Sequence, residues 1–387
     1  MPPVPATSTT AHLPSTTLLG TLWHALCADR LLQLLLLVLA ALAIWGSAPL
    51  ASYPALVDWP TMAVLTGLLA LTKGLELSGA LSWLGQRLVG AMATERRAAL
   101  LLVLACALLS TVLTNDVALF VIVPLTLGVC RLTAMPPARL VVFEALAANA
   151  GSALTPIGNP QNLFLWQLSR VSFGQFVWHM LPLAALLTLA LLALTALTFK
   201  PRPLTISAGA PHVKLEHRLL WVALALYVPL LLAADLHQAG WALLAVLAIL
   251  ALLRPAVLAQ LDWGLLLVFM LMFVDLRLLA GLPAVQAAIA QLGLGEPGRL
   301  YVAAIGASQL ISNVPAAIAL AAYTNDWKVL SYAVSVGGFG SALGSLANLI
   351  ALRMLKDGRA WTLFHLYAVP FLLLATGIGY ALLFSPA

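Results

Sequence analysis

Two polar breaks interrupt otherwise apolar runs and carry the side chains best suited to chemistry. They are Thr114-Asn115-Asp116, within 98–133, and Ser312-Asn313, followed by Pro315, within 300–327. A carboxylate at the centre of a bilayer costs about 2.5–3.5 kcal/mol on insertion scales, so Asp116 needs a partner, an ion or a proton. That requirement suits a coupling group. Asp and Asn are also good N-caps, and Asp116 is able to cap the following half-helix and couple as well. The amides of Asn115 and Asn313 can cap the half-helices that follow or turn an oxygen toward a cation. The positive ends of those half-helices face the same place and favour anions. Pro315 suits the first turn of a helix, where no N–H is needed.

A second intramembrane set comprises Lys73, Glu76, Asp275 and Arg277, candidates for gating or for pairing across the membrane interior. Lys73 and Glu76 are three residues apart and share one helix face, and Lys73 aligns with Asp275 when related segments are matched. Charges in spans are usually paired, so structural pairing is the leading expectation. Glu144 reads either way. Trp59, Trp166, Trp178, Trp263 and Trp361 are expected to anchor membrane interfaces.

The elements that position these residues follow from composition. The chain has 387 residues, 63% hydrophobic and only 8% charged, with a mean hydropathy of +1.03. A soluble domain carries about 25% charged residues, so most of this surface must face lipid. The net charge of +6 lies singly or in pairs between apolar runs, the pattern of topology-setting loop charges, and nucleic-acid binding is not expected. Cys27, Cys106 and Cys130 are far apart and suggest neither a disulfide framework nor a thiolate metal site. The first 28 residues lack a basic region followed by an apolar core, so no cleavable signal peptide is expected.

Apolar runs near 31–48, 62–79, 140–165, 175–199, 218–234, 238–253, 262–280, 333–352 and 362–384 are long enough to be spans, and 81–95 and 282–294 look amphipathic. The chain repeats itself. Val57-Asp58-Trp59 matches Leu261-Asp262-Trp263, Thr114-Asn115 matches Ser312-Asn313, and Gly151-Ser152-Ala153-Leu154 recurs as Gly340-Ser341-Ala342-Leu343. Asn162-Leu163 matches Asn348-Leu349, and Phe176…Pro182 matches Phe364…Pro370. The expected fold is an all-α polytopic membrane protein of two inverted repeats, each with a re-entrant hairpin. Its divisions are an N-terminal tail (1–28), a first transmembrane helix (29–57), repeat 1 (58–199) with an inward-opening hairpin at 98–133, a cytoplasmic linker (200–217), linking helices (218–257), and repeat 2 (258–387) with an outward-opening hairpin at 297–328. With the N-terminus in the cytoplasm, fourteen of the 19 lysines and arginines fall on inner segments, as the positive-inside rule requires. Inverted repeats with broken helices are the architecture of secondary transporters, which bind near the midplane.

The stretches Leu113–Phe120, Gly151–Leu163, Ser312–Pro315 and Gly337–Ile350 resemble the ion transporter superfamily. That group includes the arsenite pump membrane subunit, the citrate transporters, NhaD-type sodium/proton antiporters and the divalent-anion symporters. The likeness is strongest to the YbiR-type bacterial inner-membrane proteins described as anion transporters. It implies a homodimeric elevator in which two hairpins and two unwound helices move across the membrane. Carried over by residue, Thr114, Asn115 and Asp116 face an unwound stretch from Thr155 to Asn162, and Ser312, Asn313 and Val314 face Gly340 to Asn348. Gly158, Pro160, Gly340 and Gly344 are then expected to permit unwinding and aim backbone carbonyls at a cation. Thr155, Asn159, Asn162, Ser341, Ser345 and Asn348 are candidates to add side-chain oxygens. Sodium at the Asn115 and Asn313 tips, or a proton, is the implied coupling ion, and no other cofactor is implied. The dicarboxylate symporters carry Ser-Asn-Thr at each tip. Here the third positions are Asp116 and Val314, which disfavours dicarboxylate symport and brings the first tip closer to the arsenite-pump branch.

The resulting expectation is a secondary transporter in the bacterial inner membrane that moves a small ion, an anion first, with protons or sodium. Arsenite or antimonite efflux and sodium/proton antiport are the alternatives. An intramembrane enzyme is a remote one, since it needs a nucleophile with a base or a metal cluster and neither stands out.

Overall fold

The computed structural model describes residues 29–45, 48–133, 135–204, 214–355 and 357–385. The expected N-terminal tail with Cys27, the middle of the linker at 205–213, and Lys356 lie outside the described residues. Among those described there is no strand beyond an isolated bridge between Thr94 and Pro203.

Helix α1 (Arg30–Trp45) is followed by the short α2 (Tyr53–Leu56) and then a series of seven elements. These are α3 (Trp59–Leu77), α4 (Ala80–Val89), the hairpin α5 (Glu95–Val112) and α6 (Asn115–Thr133), the broken pair α7 (Pro137–Ser152) and α8 (Pro160–Ser169), and α9 (Phe173–Thr198). After α10 (His217–Asp235), α11 (Ala239–Leu253) and the short α12 (Ala256–Ala259), the same order recurs. The second series is α13 (Trp263–Ala280), α14 (Pro283–Gln291), the hairpin α15 (Pro297–Ile311) and α16 (Asn313–Leu320), the broken pair α17 (Trp327–Val336) and α18 (Leu346–Leu355), and α19 (Arg359–Phe384).

The repetition reaches individual hydrogen bonds. Asp58 Oδ1 accepts from Thr61 N at 3.1 Å and Asp262 Oδ1 from Leu265 N at 2.9 Å, so each series opens on an aspartate N-cap. In both, the tryptophan after the cap donates through Nε1 to the carbonyl five residues earlier, Trp59 to Pro54 and Trp263 to Leu258. The aspartates satisfy an N–H that the first turn leaves open, and the tryptophans tie that turn to a carbonyl of the short helix before it, so each apolar helix starts at a fixed residue. The 26-residue helices α9 and α19 each contain one internal proline, Pro182 and Pro370.

Five described helices are individually long and apolar enough to cross a membrane, and α3 with the segment Leu50–Leu56, bent by 59°, makes a sixth. The runs at 140–165 and 333–352, expected as single spans, are each two helices with an irregular stretch between them. Helix α7 is the centre of the molecule: every residue from Leu140 to Ser152 is buried. It packs against both arms of its own hairpin, α5 and α6, and against α9, α18 and α19. Likewise α17 packs against α15 and α16 and also meets α8. The half-helices therefore cross over, α18 to the first hairpin and α8 to the second. Around this centre α10 and α11 lie on α3, and α1 lies on α13.

Five tryptophans were expected at membrane interfaces. Trp59, Trp178 and Trp361 are exposed, Trp263 is part-buried and Trp166 is interior. The Trp166 Nε1 donates to Val171 O at 2.9 Å and its ring meets Phe173 edge-on, so it closes the turn between α8 and α9.

Candidate functional site

The first hairpin turns over Leu113 and Thr114, where the backbone leaves α5 extended and re-enters a helix at Asn115. Asn115 is buried and its side-chain Oδ1 accepts from Asp116 N at 3.0 Å. Its backbone N–H donates to Gly158 O at 2.8 Å, which fastens the tip to the unwound stretch between α7 and α8. Thr155 Oγ1 donates to Thr111 O at 2.5 Å and makes a second fastening. A Cβ on Gly158 would run into the Ser152 and Ser110 carbonyl oxygens, so the close approach of hairpin and unwound stretch requires glycine there.

The second hairpin turns at Ser312, which holds φ 74°, a left-handed backbone that L residues rarely adopt. Such strain persists where the surroundings over-determine it and clusters at functional sites. Ser312 Oγ lies 3.5 Å from Asn313 Oδ1. Gln309, one turn earlier on α15, reads the unwound stretch directly. Its Nε2 donates to Gly337 O at 2.7 Å and its Oε1 accepts from Ser341 N at 2.8 Å. Ser341 Oγ returns a bond to Gln309 O at 3.1 Å. Gly340 takes φ 92°, and a Cβ there would strike Gln309 Oε1 and Leu372.

Asn162 Nδ2 donates to the carbonyls of Ser152, Ala153 and Thr155, and Asn348 Nδ2 to those of Gly338 and Ser341. These two amides hold their unwound stretches open, so their nitrogens are committed to backbone. Asn159 acts differently, since its Oδ1 caps α8 through Asn162 N at 2.9 Å and its Nδ2 binds Ser152. Both ends of the Asn159 amide, expected to add a ligand oxygen, are thus engaged within the stretch. Ser345 is buried just before α18, and a Cβ on Gly344 would come close to the Gly337 and Phe339 carbonyls.

The bonds also correct the repeat register. Asn162 and Asn348 make equivalent bonds, as do Thr155 and Ser341, and both pairs are 186 apart. In that register Gly151 pairs with Gly337, and Cβ atoms there would meet Ser110 and Ser308 respectively. The identical tetrapeptides beginning at Gly151 and Gly340 are three residues out of step with the structure. Their likeness reflects a shared need for small residues.

A cavity of about 1820 Å³ opens beside the first tip. Its walls are α3, α4 and α6, with the start of α13 and, through Leu346 and Ile350, the start of α18. Thr114 and Asp116 face it, and Asp116 Oδ1 is buried without a partner. The charged lining residues are four acids, Asp29, Glu76, Asp116 and Asp262, and one base, Lys73. Lys73 is already paired with Glu76 at 2.6 Å. A wall of this composition draws cations.

Within the second charged set Lys73 pairs with Glu76 on its own helix, and Asp275, its aligned counterpart, joins neither Lys73 nor Arg277. Arg277 turns instead to Asp58 at 3.3 Å and Leu56 O at 2.7 Å, tying the end of α13 to the start of α3. Asp275 is 1% exposed and neither of its oxygens has a partner. Asp275 and Arg277 are not among the residues lining the cavity, whereas Lys73 and Glu76 are. Glu144 is fully buried in α7, accepts from Thr126 Oγ1 through one oxygen, and leaves the other without a partner.

Asn149, Gln309 and Ser335 are not among the expected site residues. The signal for Asn149 and Ser335 is a single polar residue in an apolar run next to a glycine-containing break, as in Ala148-Asn149-Ala150-Gly151, whereas Gln309 is marked only by its place one turn before the Ser312 break.

The citrate transporter family model matches residues 30–337. The chain is 50% identical over 361 residues to the inner membrane protein YbiR of Escherichia coli, covering 93% of this chain and 97% of that one. It is 33% identical over 302 residues to the uncharacterized transporter MJ0456 of Methanocaldococcus jannaschii, covering 77% and 82% respectively. The crystal structure of the Alcanivorax borkumensis YdaH transporter, whose topology is described as unusual, aligns with 91% of this chain and 97% of its own. The TM-score is 0.55 at 18% identity, so the likeness is one of fold.

Proposed function

Because the chain belongs to the citrate transporter family, we propose that this membrane transporter moves a small ion by an elevator motion, driven by protons or sodium. One observation carries the reading. The first hairpin is fastened to its unwound helix at its tip and the second through Gln309 one turn before its tip, and the first tip presents a partnerless carboxyl oxygen, on Asp116, beside a large cavity. Irregular backbone at membrane depth survives only where protein covers it or a wet cavity reaches it.

In this reading the hairpins with α7, α8, α17 and α18 travel together, and α1, α3, α10, α11 and α13 stay with the bilayer. Asp116 is the coupling group. It takes a proton or sodium ion from the cavity and gives it up on the other side. The lining residues Met92, Leu204 and Gln260 belong to segments that the positive-inside rule assigns to the cytoplasm. The conformation is therefore inward-open, with the N-terminus inside, in a bacterial inner membrane. The cargo is a small anion held between the positive ends of the half-helices α6 and α18.

Sodium/proton antiport is the second reading, favoured by the four acids and one base on the cavity wall. Purified protein in liposomes, given an imposed pH or sodium gradient and a panel of labelled carboxylates and oxyanions, tests both. Gradient-dependent anion flux supports the first. Sodium-dependent collapse of a pH gradient without anion flux supports the second, and no gradient-dependent flux of any kind overturns both.

A further inference from the structure

The two unwound stretches are clamped by side chains exchanged between the repeats. Asn348 Nδ2 grips Gly338 O at 2.9 Å and Ser341 O at 3.3 Å, within its own repeat. Its Oδ1 accepts from Asn149 Nδ2 at 2.8 Å, which belongs to α7 of the other repeat. Conversely, Asn162 grips the carbonyls of its own stretch while its Oδ1 accepts from Ser335 Oγ at 3.4 Å, on α17. Asn149 and Ser335 are themselves 186 apart, the same separation as the amides they hold. The exchange is thus a symmetric feature of the fold. All four residues are 4% exposed or less.

Asn149 reaches further than its partner amide. Its Nδ2 also lies 3.3 Å from Gly338 O. A Cβ on Gly338 would fall 3.1 Å from Asn313 Nδ2 and 3.3 Å from Asn149 Oδ1. A residue of repeat 1 therefore stands at the hairpin tip of repeat 2.

A primary amide carries its donors and its acceptor on one plane, so fixing the oxygen fixes where the N–H groups point. Asn149 and Ser335 hold those oxygens, and through them the direction of the carbonyls at Gly338, Ser341, Ser152 and Thr155. An ion that draws on the carbonyls of one stretch pulls on an amide anchored to the opposite repeat. Buried hydrogen-bond networks act as units rather than as sums of pairs.

We infer that Asn149 and Ser335 are positioning residues that couple the two unwound stretches, so that a monovalent cation bound at one sets the carbonyl geometry of the other. The inference rests on the cation-coupled reading above. Asn149 is the dominant arm, since its bond is the shorter.

The full-length wild type, Asn149→Ala, Ser335→Ala and the double variant are melted against graded sodium chloride and, separately, against graded pH. A ligand that binds the folded state raises its melting temperature. The wild type is expected to respond steeply to one of these ions. In Asn149→Ala the midpoint of that response moves by about tenfold and its steepness falls toward single-site behaviour. Ser335→Ala gives a smaller shift in the same direction, and the double variant shifts less than the product of the singles. A purely structural role lowers the melting temperature at every ion concentration and leaves midpoint and steepness alone, and that result overturns the inference. If Asn149→Ala does not fold, Ser335→Ala decides, since it removes only one hydroxyl. A wild type indifferent to both sodium and pH overturns the cation-coupled reading itself, which separates the two failures.

Discussion

Gly151 and Gly158 set how closely the first hairpin can sit against the broken helix. A Cβ on Gly151 would collide with the Ala107 carbonyl and the Ser110 hydroxyl, whereas one on Gly128 would meet nothing within 4 Å. Gly151→Ala is therefore expected to destabilise by about 1–3 kcal/mol through overpacking. Gly128→Ala, in the exposed middle of α6, should be neutral or stabilising by up to about 1 kcal/mol. Thermal melting of the purified variants checks the pair, and equal effects would remove close approach as the reason for Gly151. At this scale the hairpin tips were legible, because a polar break in an apolar run has few explanations inside a membrane. The amide exchange was not. Asn149 and Ser335 lie inside helical runs, and nothing local says that each bonds to a residue more than 170 positions away. Pairing across the repeats does occur, but between Arg277 and Asp58, which no local feature of the sequence joins.

The helices begin and end where their chemistry directs. Asp58 and Asp262 cap α3 and α13, and the helices resume after the two hairpin turns at Asn115 and Asn313 and after the first broken stretch at Pro160. Breaks of this kind can be read from residue type. Register could not, since small residues satisfy close packing at several offsets and the identical tetrapeptides pointed three residues away. Arg277 joins the two repeats at one edge. Arg277→Met removes a bond to the Leu56 carbonyl and a part-buried ion pair with Asp58, and is expected to lower stability by about 1–3 kcal/mol. Arg299→Met breaks a pair with Glu296 that is 62% exposed on both sides, and should change stability by less than about 0.5 kcal/mol. Comparable losses in the two variants would show that the Arg277 contact contributes no more than a surface pair.

The whole molecule is a pair of like series whose half-helices cross over, and the cavity lies on one side of that centre. If the cavity is inward-open, a cysteine at Ser82, which lines it, reacts with a membrane-impermeant maleimide from the cytoplasmic face only. A cysteine at exposed Asn325, between the arms of the second hairpin and α17, reacts from the opposite face. Both are placed in a background without the native cysteines, and labelling of both from one face, or of each from the other's face, would overturn the topology. The apolar outer surfaces of α9, α10 and α11, with Trp178, Leu197, Trp221 and Leu252 exposed, suit lipid or a second copy. A homodimer is the expected assembly, and light scattering of the detergent-solubilised protein decides it.

The central claim is that Asp116 couples ion movement to transport, and gradient-driven flux through Asp116→Asn in liposomes tests it most directly. Asp116→Asn is expected to fold, to melt near the wild type, to exchange cargo across the bilayer, and no longer to accumulate it when a pH or sodium gradient is imposed. Accumulation equal to the wild type under the same gradient would contradict the claim.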